Sequence, residues 1–97
     1  TVDTGWFATF RINPEEAIRK LRKSVFHVHL KDIKEADKHE SCTLGDGVVN
    51  IPRVLNALKE INYKGYLSIE HEPGDHDPTK EVKESLYRLR NWLKEIQ

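Results

Sequence analysis

The stretch Val25-Phe26-His27-Val28-His29-Leu30-Lys31-Asp32 alternates apolar and polar side chains with a period of two. Phe26, Val28 and Leu30 fall on one side of such a ribbon, and Val25, His27, His29 and Lys31 on the other. It reads as a β-strand that buries one face and presents two imidazoles on the opposite one. The rest of the chain is organised by which other strand ends reach that imidazole face.

Working upstream, Asn13-Pro14-Glu15-Glu16 opens a helix: Asn13 is the N-cap, proline sits in the first turn and an acid occupies the capping-box position. Ala17, Ile18 and Leu21 form its apolar stripe, and it runs out near Lys23, where Arg19, Lys20 and Arg22 suit the negative end of the helix dipole. Earlier still, Thr1-Val2-Asp3-Thr4 is the tail of a strand stopped by Gly5, which places Asp3 at a carboxyl end. Trp6 to Phe10 reads as an aromatic loop.

Downstream, residues 33–50 hold no periodic pattern, and a connection of that length is longer than a compact domain normally needs. It carries Glu35, Asp37, His39 and Glu40 and ends in the turn Gly45-Asp46-Gly47. Ile51, Val54, Leu55, Leu58 and Ile61 then recur at helical spacing behind the cap Asn50 and Pro52. Tyr66-Leu67-Ser68-Ile69-Glu70 is a third strand, again ended by an acid. After the turn-rich Pro73-Gly74-Asp75-His76, Asp77-Pro78 caps a long helix with Val82, Leu86, Leu89, Leu93 and Ile96 in its stripe, joined by Tyr87 and Trp92.

Strand and helix thus alternate three times, the order of an α/β parallel sheet with right-handed crossovers. In all three strands the polar residues share one parity. A doubly wound sheet prefers strands apolar on both faces, so this pattern fits the wall of a (β/α) barrel, with polar residues pointing inward. A whole barrel needs roughly 200 residues or more. The 97 residues therefore make a single partial domain, 1–97, and with no methionine the chain is expected to be cut from something longer.

Sixteen basic against sixteen acidic residues give no field for a nucleic-acid groove or an anionic membrane. One cysteine, Cys42, makes no internal disulfide and no thiolate metal site, which suits a reducing cytoplasm. No apolar run approaches 18 residues and no signal-like amino terminus is present, so a soluble, cytoplasmic protein is expected.

In a parallel barrel all carboxyl strand ends meet on one face, where Asp3, His29 and Glu70 would point to a common centre. Two carboxylates and one imidazole favour Mn²⁺, Mg²⁺ or Co²⁺, with Zn²⁺ also accommodated. Each residue has a plain structural reading too: Asp3 as a strand terminator, His27 and His29 as barrel-lining side chains, Glu70 as the partner of Lys31 or Arg53. The repeated position on successive strands is what sets the metal reading beside these.

Asp3-Thr4-Gly5, His27-Val28-His29-Leu30-Lys31-Asp32, Leu44 to Asn50, and Tyr63 to Glu70 resemble, in order and spacing, the closing third of the xylose-isomerase-like TIM barrels. More narrowly they are similar to the sugar phosphate isomerase/epimerase group, which includes ketose 3-epimerases and inosose dehydratases and, more distantly, zinc AP endonucleases. The resemblance implies a C-terminal (β/α)3 segment of a TIM barrel, three parallel strands each followed by a helix. It implies Asp3, His29 and Glu70 as metal ligands, with Mn²⁺ the expected ion, and a fourth ligand, a glutamate, upstream. Glu70 would also act catalytically, as one of two carboxylates moving a proton through a metal-stabilised enediolate. The implied substrate is a small sugar or sugar phosphate.

There are departures. Trp6 stands where many members carry a substrate-contacting histidine, and Lys31, Lys34 and Glu35 stand where the epimerases carry an arginine; Trp6, Lys31 and His39 are read as substrate contacts. Asp37-Lys38-His39 resembles a zinc-holding pair of the AP endonucleases, but the neutral charge speaks against DNA repair. His27, one step deeper than His29, and Asp32 are read as supporting residues behind the ligands. Gly45-Asp46-Gly47 lacks the context of a dinucleotide fingerprint. His71, Asp75, His76 and Asp77 imitate a second cluster, with Asp77 more simply a cap. Cys42 has no base beside it.

The expected protein is thus an isomerase or epimerase with a related dehydratase, an AP-endonuclease-like enzyme or a non-catalytic oligomeric fragment as alternatives. The piece alone is expected to be inactive, and to pair with the missing N-terminal part of the barrel or with itself, because its sheet has open edges.

Overall fold

The computed structural model describes residues 2–25, 27–71 and 77–96. Three strands, β1 (Val2–Asp3), β2 (His27–Leu30) and a third at Tyr66–Ile69, form a parallel sheet with β2 in the centre. Val2 pairs with Val28 and Asp3 with His29; on the other side His27, Val28, His29 and Leu30 pair with Tyr66, Leu67, Ser68 and Ile69. The barrel-type alternation of strand and helix is therefore present. Helices α1 (Thr4–Thr9), α2 (Pro14–Leu21), α3 (Ile51–Glu60) and α4 (Thr79–Ile96) accompany it, with a 3-10 turn at Arg22–Ser24.

The core lies between one sheet face and the helices. Val2, Val28 and Leu30 join Ile18, Val54, Leu55, Ala57, Leu58 and Leu89 in one buried cluster, with Leu67 and Ile69 against it. The alternation read from the sequence is what aims these residues at the helices and leaves His27, His29 and Ser68 on the other face. Caps behave as read: the Asn13 and Asn50 side chains accept the N–H groups of Glu15 and Arg53, and Asp77 accepts that of Thr79. Leu55→Ala is expected to destabilise the fold by about 2–5 kcal/mol, since it empties a fully packed site. A urea midpoint within error of wild type would show that α3 is not part of the core.

Four expectations are corrected. Trp6 to Phe10 is not a loop: Thr4–Thr9 is helical because the Asp3 carboxylate, outside the helix, accepts the Trp6 N–H at 3.0 Å. The Thr9 hydroxyl closes the turn by donating to the Gly5 carbonyl at 2.8 Å. Residues 33–50 are not structureless either. An antiparallel hairpin, β3 (Asp32–Glu35) and β4 (Lys38–Cys42), pairs Asp32 with Cys42 and Ile33 with Ser41, so β2 is followed by a hairpin before α3, and the sheet strand Tyr66–Ile69 becomes β5. Its sequence shows no alternation because its backbone ladder and outside contacts hold it. The Asp37 N–H donates to the Thr9 carbonyl at 3.1 Å, and the Arg11 guanidinium clamps the Asp37 carboxylate, with Nη2 to Oδ2 at 2.6 Å. That exposed pair raises the arginine and lowers the aspartate from their ordinary values.

Leu21 and Leu86 are exposed rather than in their helix stripes. At α4 the buried position is taken by Ser85, whose hydroxyl accepts the Leu44 N–H at 3.0 Å. Arg88 adds a donor to the Leu44 carbonyl at 2.8 Å and to Asp46 Oδ1 at 2.7 Å. A polar anchor between helix and loop thus displaces an apolar residue that periodicity alone favours.

Candidate functional site

The carboxyl ends of the three sheet strands stand side by side. Asp3 is the register partner of His29, and Glu70 follows Ile69, the register partner of Leu30, with its own N–H donating to the Leu30 carbonyl at 3.0 Å. His29 Nδ1 lies 3.2 Å from Glu70 Oε1. Asp3 is occupied differently. Its Oδ1 accepts the Trp6 N–H and its Oδ2 lies 3.4 Å from Lys31 Nζ. The structure thus brings His29 and Glu70 together and sets Asp3 beside them on a neighbouring strand, while among the described residues no three His, Cys, Asp or Glu side chains converge tightly enough to share an ion. The donor chemistry, two carboxylates and an imidazole on adjacent strand ends, still suits a divalent cation.

Lys31 has only 1% of its side chain exposed. Its stem lies over Gly5, where a Cβ would come within 2.6 Å of two of its carbons, and its ammonium sits 5.7 Å from the centre of the Trp6 ring. Its backbone is clasped as well: the Thr4 hydroxyl donates to the Lys31 carbonyl at 2.7 Å and accepts the Lys31 N–H at 2.9 Å. A lysine read as offered to substrate is enclosed, turned toward Asp3. The Trp6 ring is partly exposed, stacked at 6.0 Å on Phe10. His39 lies on β4 with its backbone in the hairpin; Asp75 and His76 of the second imitation cluster lie outside the described residues.

Asp32, two residues beyond β2, holds the loop that follows the hairpin. Fully buried, its carboxylate accepts four backbone N–H groups, those of Ile33 and Val49 at 2.9 Å on Oδ1, and those of Gly45 at 3.0 Å and Gly47 at 2.9 Å on Oδ2. Burial pushes this carboxyl up, against the four donors that favour its charged form. The Gly45-Asp46-Gly47 turn is folded around that carboxylate. Gly45 has φ of 97°, and a Cβ on Gly47 would stand 2.0 Å from the Ile33 carbonyl oxygen.

Cys42 sits behind the same loop. Burial foremost, with the charges of Asp32 and Asp46, pushes its thiol up to about 12. Its thiolate is disfavoured at neutral pH. At pH 8 its alkylation by iodoacetamide is expected to run at least a hundredfold or so slower than that of an unfolded thiol, rising with pH beyond 10. Mass spectrometry of the time course measures this, and labelling at the unfolded rate would refute the enclosure.

Sequence reasoning overlooked Ser68. Its hydroxyl and His27 Nε2 share a hydrogen bond of 2.8 Å. The signal was present in its parity, shared with Glu70 on one strand face, but nothing local says that a serine there reaches a histidine on another strand.

The model of the xylose isomerase-like TIM barrel family matches residues 1–95. The chain belongs to that family. A solved D-tagatose 3-epimerase-like protein superposes with a TM-score of 0.78 at 32% identity, over 95% of this chain and 33% of that one. Inosose dehydratase of Clostridium tetani is 32% identical over 110 residues, covering 96% of this chain and 36% of the relative. An uncharacterized protein of Methanocaldococcus jannaschii is 40% identical over 83 residues, covering 81% of the chain and 28% of the relative. This xylose isomerase-like chain therefore spans about a third of the length of its relatives. Among the described residues no helix is long and apolar enough to cross a membrane.

Proposed function

We propose that this xylose isomerase-like chain is the closing (β/α)3 third of a barrel, residues 1–97, that moves a proton on a small sugar or sugar phosphate as an isomerase or epimerase. The observation that carries it is the side-by-side placement of Asp3, His29 and Glu70 at three parallel strand ends, in a chain whose relatives include an epimerase-like protein and a dehydratase. Asp3, His29 and Glu70 would hold a divalent ion, Mn²⁺ by the oxygen-rich donor set, with a further ligand from the rest of the barrel. Such an ion, when bound, supplies a Lewis acid that makes a carbon-bound proton next to a carbonyl easier to remove.

The chain's own contribution is the handling of that proton. Glu70, held by the His29 imidazole, takes it or returns it. Trp6, exposed at the rim, covers the sugar, while Lys31 steadies Asp3 and the Trp6 ring from below and lends positive charge to a bound anion. His39 contributes from the hairpin. His27 and Asp32 act behind these groups, one against His29 and the other in the loop.

A second reading, a dehydratase, is favoured by the inosose dehydratase relative. Both reactions begin with removal of a proton beside a carbonyl, and they part in whether the proton returns or a hydroxyl leaves. Incubating the complete barrel with D-tagatose or an inosose in D₂O separates them. Deuterium at that carbon with an epimeric product supports the epimerase, loss of water the dehydratase, and no exchange with any tested sugar overturns both. Titration calorimetry with Mn²⁺ tests the ligand set: Asp3→Ala and His29→Ala are each expected to weaken binding at least 10-fold. Unchanged affinity in both variants removes these residues from the site.

A further inference from the structure

We infer that Ser68 is a positioning residue that sets the orientation of His29 through His27. This rests on the reading of His29 and Glu70 as site residues. Two cross-strand clasps join β2 and β5 on the polar face. Glu70 Oε1 meets His29 Nδ1 at 3.2 Å, and the Ser68 hydroxyl shares a 2.8 Å hydrogen bond with His27 Nε2. Both run diagonally. Ser68 is the register partner of His29, yet its hydroxyl reaches one step back along β2 to His27, just as Glu70 reaches back to His29.

The two clasps are coupled by the imidazoles. The His27 and His29 rings stand 4.6 Å apart at 65°, edge to face, so the position of one ring bounds the rotation of the other. Tyr66 closes the far side of His27, with ring centres 6.5 Å apart at 67°. The His27 ring is thus bounded by Tyr66, by His29 and by the Ser68 hydroxyl. Of these only the hydroxyl fixes the ring's turn about its own axis, because a hydrogen bond is directional where ring contacts are broad. Without it the His27 ring loses the contact that sets its turn, and with it the fixed edge against which His29 is held toward Glu70. The contact is specific to a hydroxyl, so threonine should serve where alanine does not.

Two measurements on Ser68→Ala and Ser68→Thr test this. In metal-free protein, long-range ¹H–¹⁵N spectra of the imidazoles are expected to show the His29 ring signals displaced in Ser68→Ala and restored in Ser68→Thr. With Mn²⁺ as the probe, calorimetry is expected to give a 10- to 100-fold weaker affinity for Ser68→Ala and a value within about threefold of wild type for Ser68→Thr. A purely structural serine would move the urea midpoint without moving either readout. Ser68→Ala with His29 signals and Mn²⁺ affinity both as in wild type overturns the inference and leaves the metal reading standing. Displaced His29 signals in a protein that in its wild-type form binds no Mn²⁺ uphold the positioning role and reject the metal reading instead.

Discussion

In the complete barrel, Glu70→Gln is expected to lower kcat by about 10²- to 10⁴-fold while KM stays within roughly threefold. The substitution is nearly isosteric and keeps an oxygen where Glu70 Oε1 now meets His29 Nδ1 at 3.2 Å, so the ring keeps a partner. With Mn²⁺ kept saturating, because the amide is also a weaker ligand than the carboxylate, what is lost is the ability to hold a proton between one half of the reaction and the next. Deuterium exchange into substrate should fall in parallel with turnover, because the same group takes the proton. A variant that loses turnover but keeps full exchange would assign proton removal to another residue, and one that keeps both within threefold of wild type would take Glu70 out of the chemistry.

The second large effect is expected at Asp32, whose carboxylate is the centre of the loop at 43–49. Asp32→Ala leaves four backbone N–H groups without their acceptor in a buried place. An unmet buried donor costs about 1–3 kcal/mol, and water entering the space recovers part of the sum, so a loss of about 3–5 kcal/mol is expected. Asp32→Asn should fall between, because one of the two oxygens, each of which serves two donors, becomes an amide N–H that opposes them. Gly47→Ala tests the same geometry from the other side, since its methyl would meet the Ile33 carbonyl at 2.0 Å. Urea midpoints for the three variants, with limited proteolysis across 43–49, measure this. Midpoints equal to wild type for Asp32→Ala would mean that the loop is held by something else.

These two expectations differ in how readily the sequence reveals them. Glu70 is legible from parity and position as an acid at a strand end on the polar face, since a strand's alternation and the parallel arrangement determine which side chains share a face and an end. Its expected role in proton transfer comes from the resemblance. Asp32 lies in the same quoted stretch, where it is read only as a residue behind the expected ligands. Nothing local shows that its two oxygens serve donors as far as 13 to 17 residues downstream. The hairpin was missed for a related reason: β3 and β4 bury too few apolar residues to show a period of two, and their pairing is a property of backbones and of the Arg11–Asp37 clamp across 26 residues. The enclosure of Lys31 was not legible because a lysine after a strand is ordinarily solvated, and only the packing of α1 shows that its stem is laid over Gly5.

What the sequence by itself determined is whatever depends on near neighbours: the alternation that separates Val28 and Leu30 from His27 and His29, the caps at Asn13, Asn50 and Asp77, and the strand–helix order that makes the sheet parallel. The tertiary structure decided whatever joins residues far apart in the chain. It placed Asp3 against Lys31, folded the loop around Asp32, and joined Ser68 to His27 across 41 residues. A period of two states which side of a strand a group occupies. Which partner it meets there depends on register and on the reach of the side chain, and both are settled only when the strands are laid together.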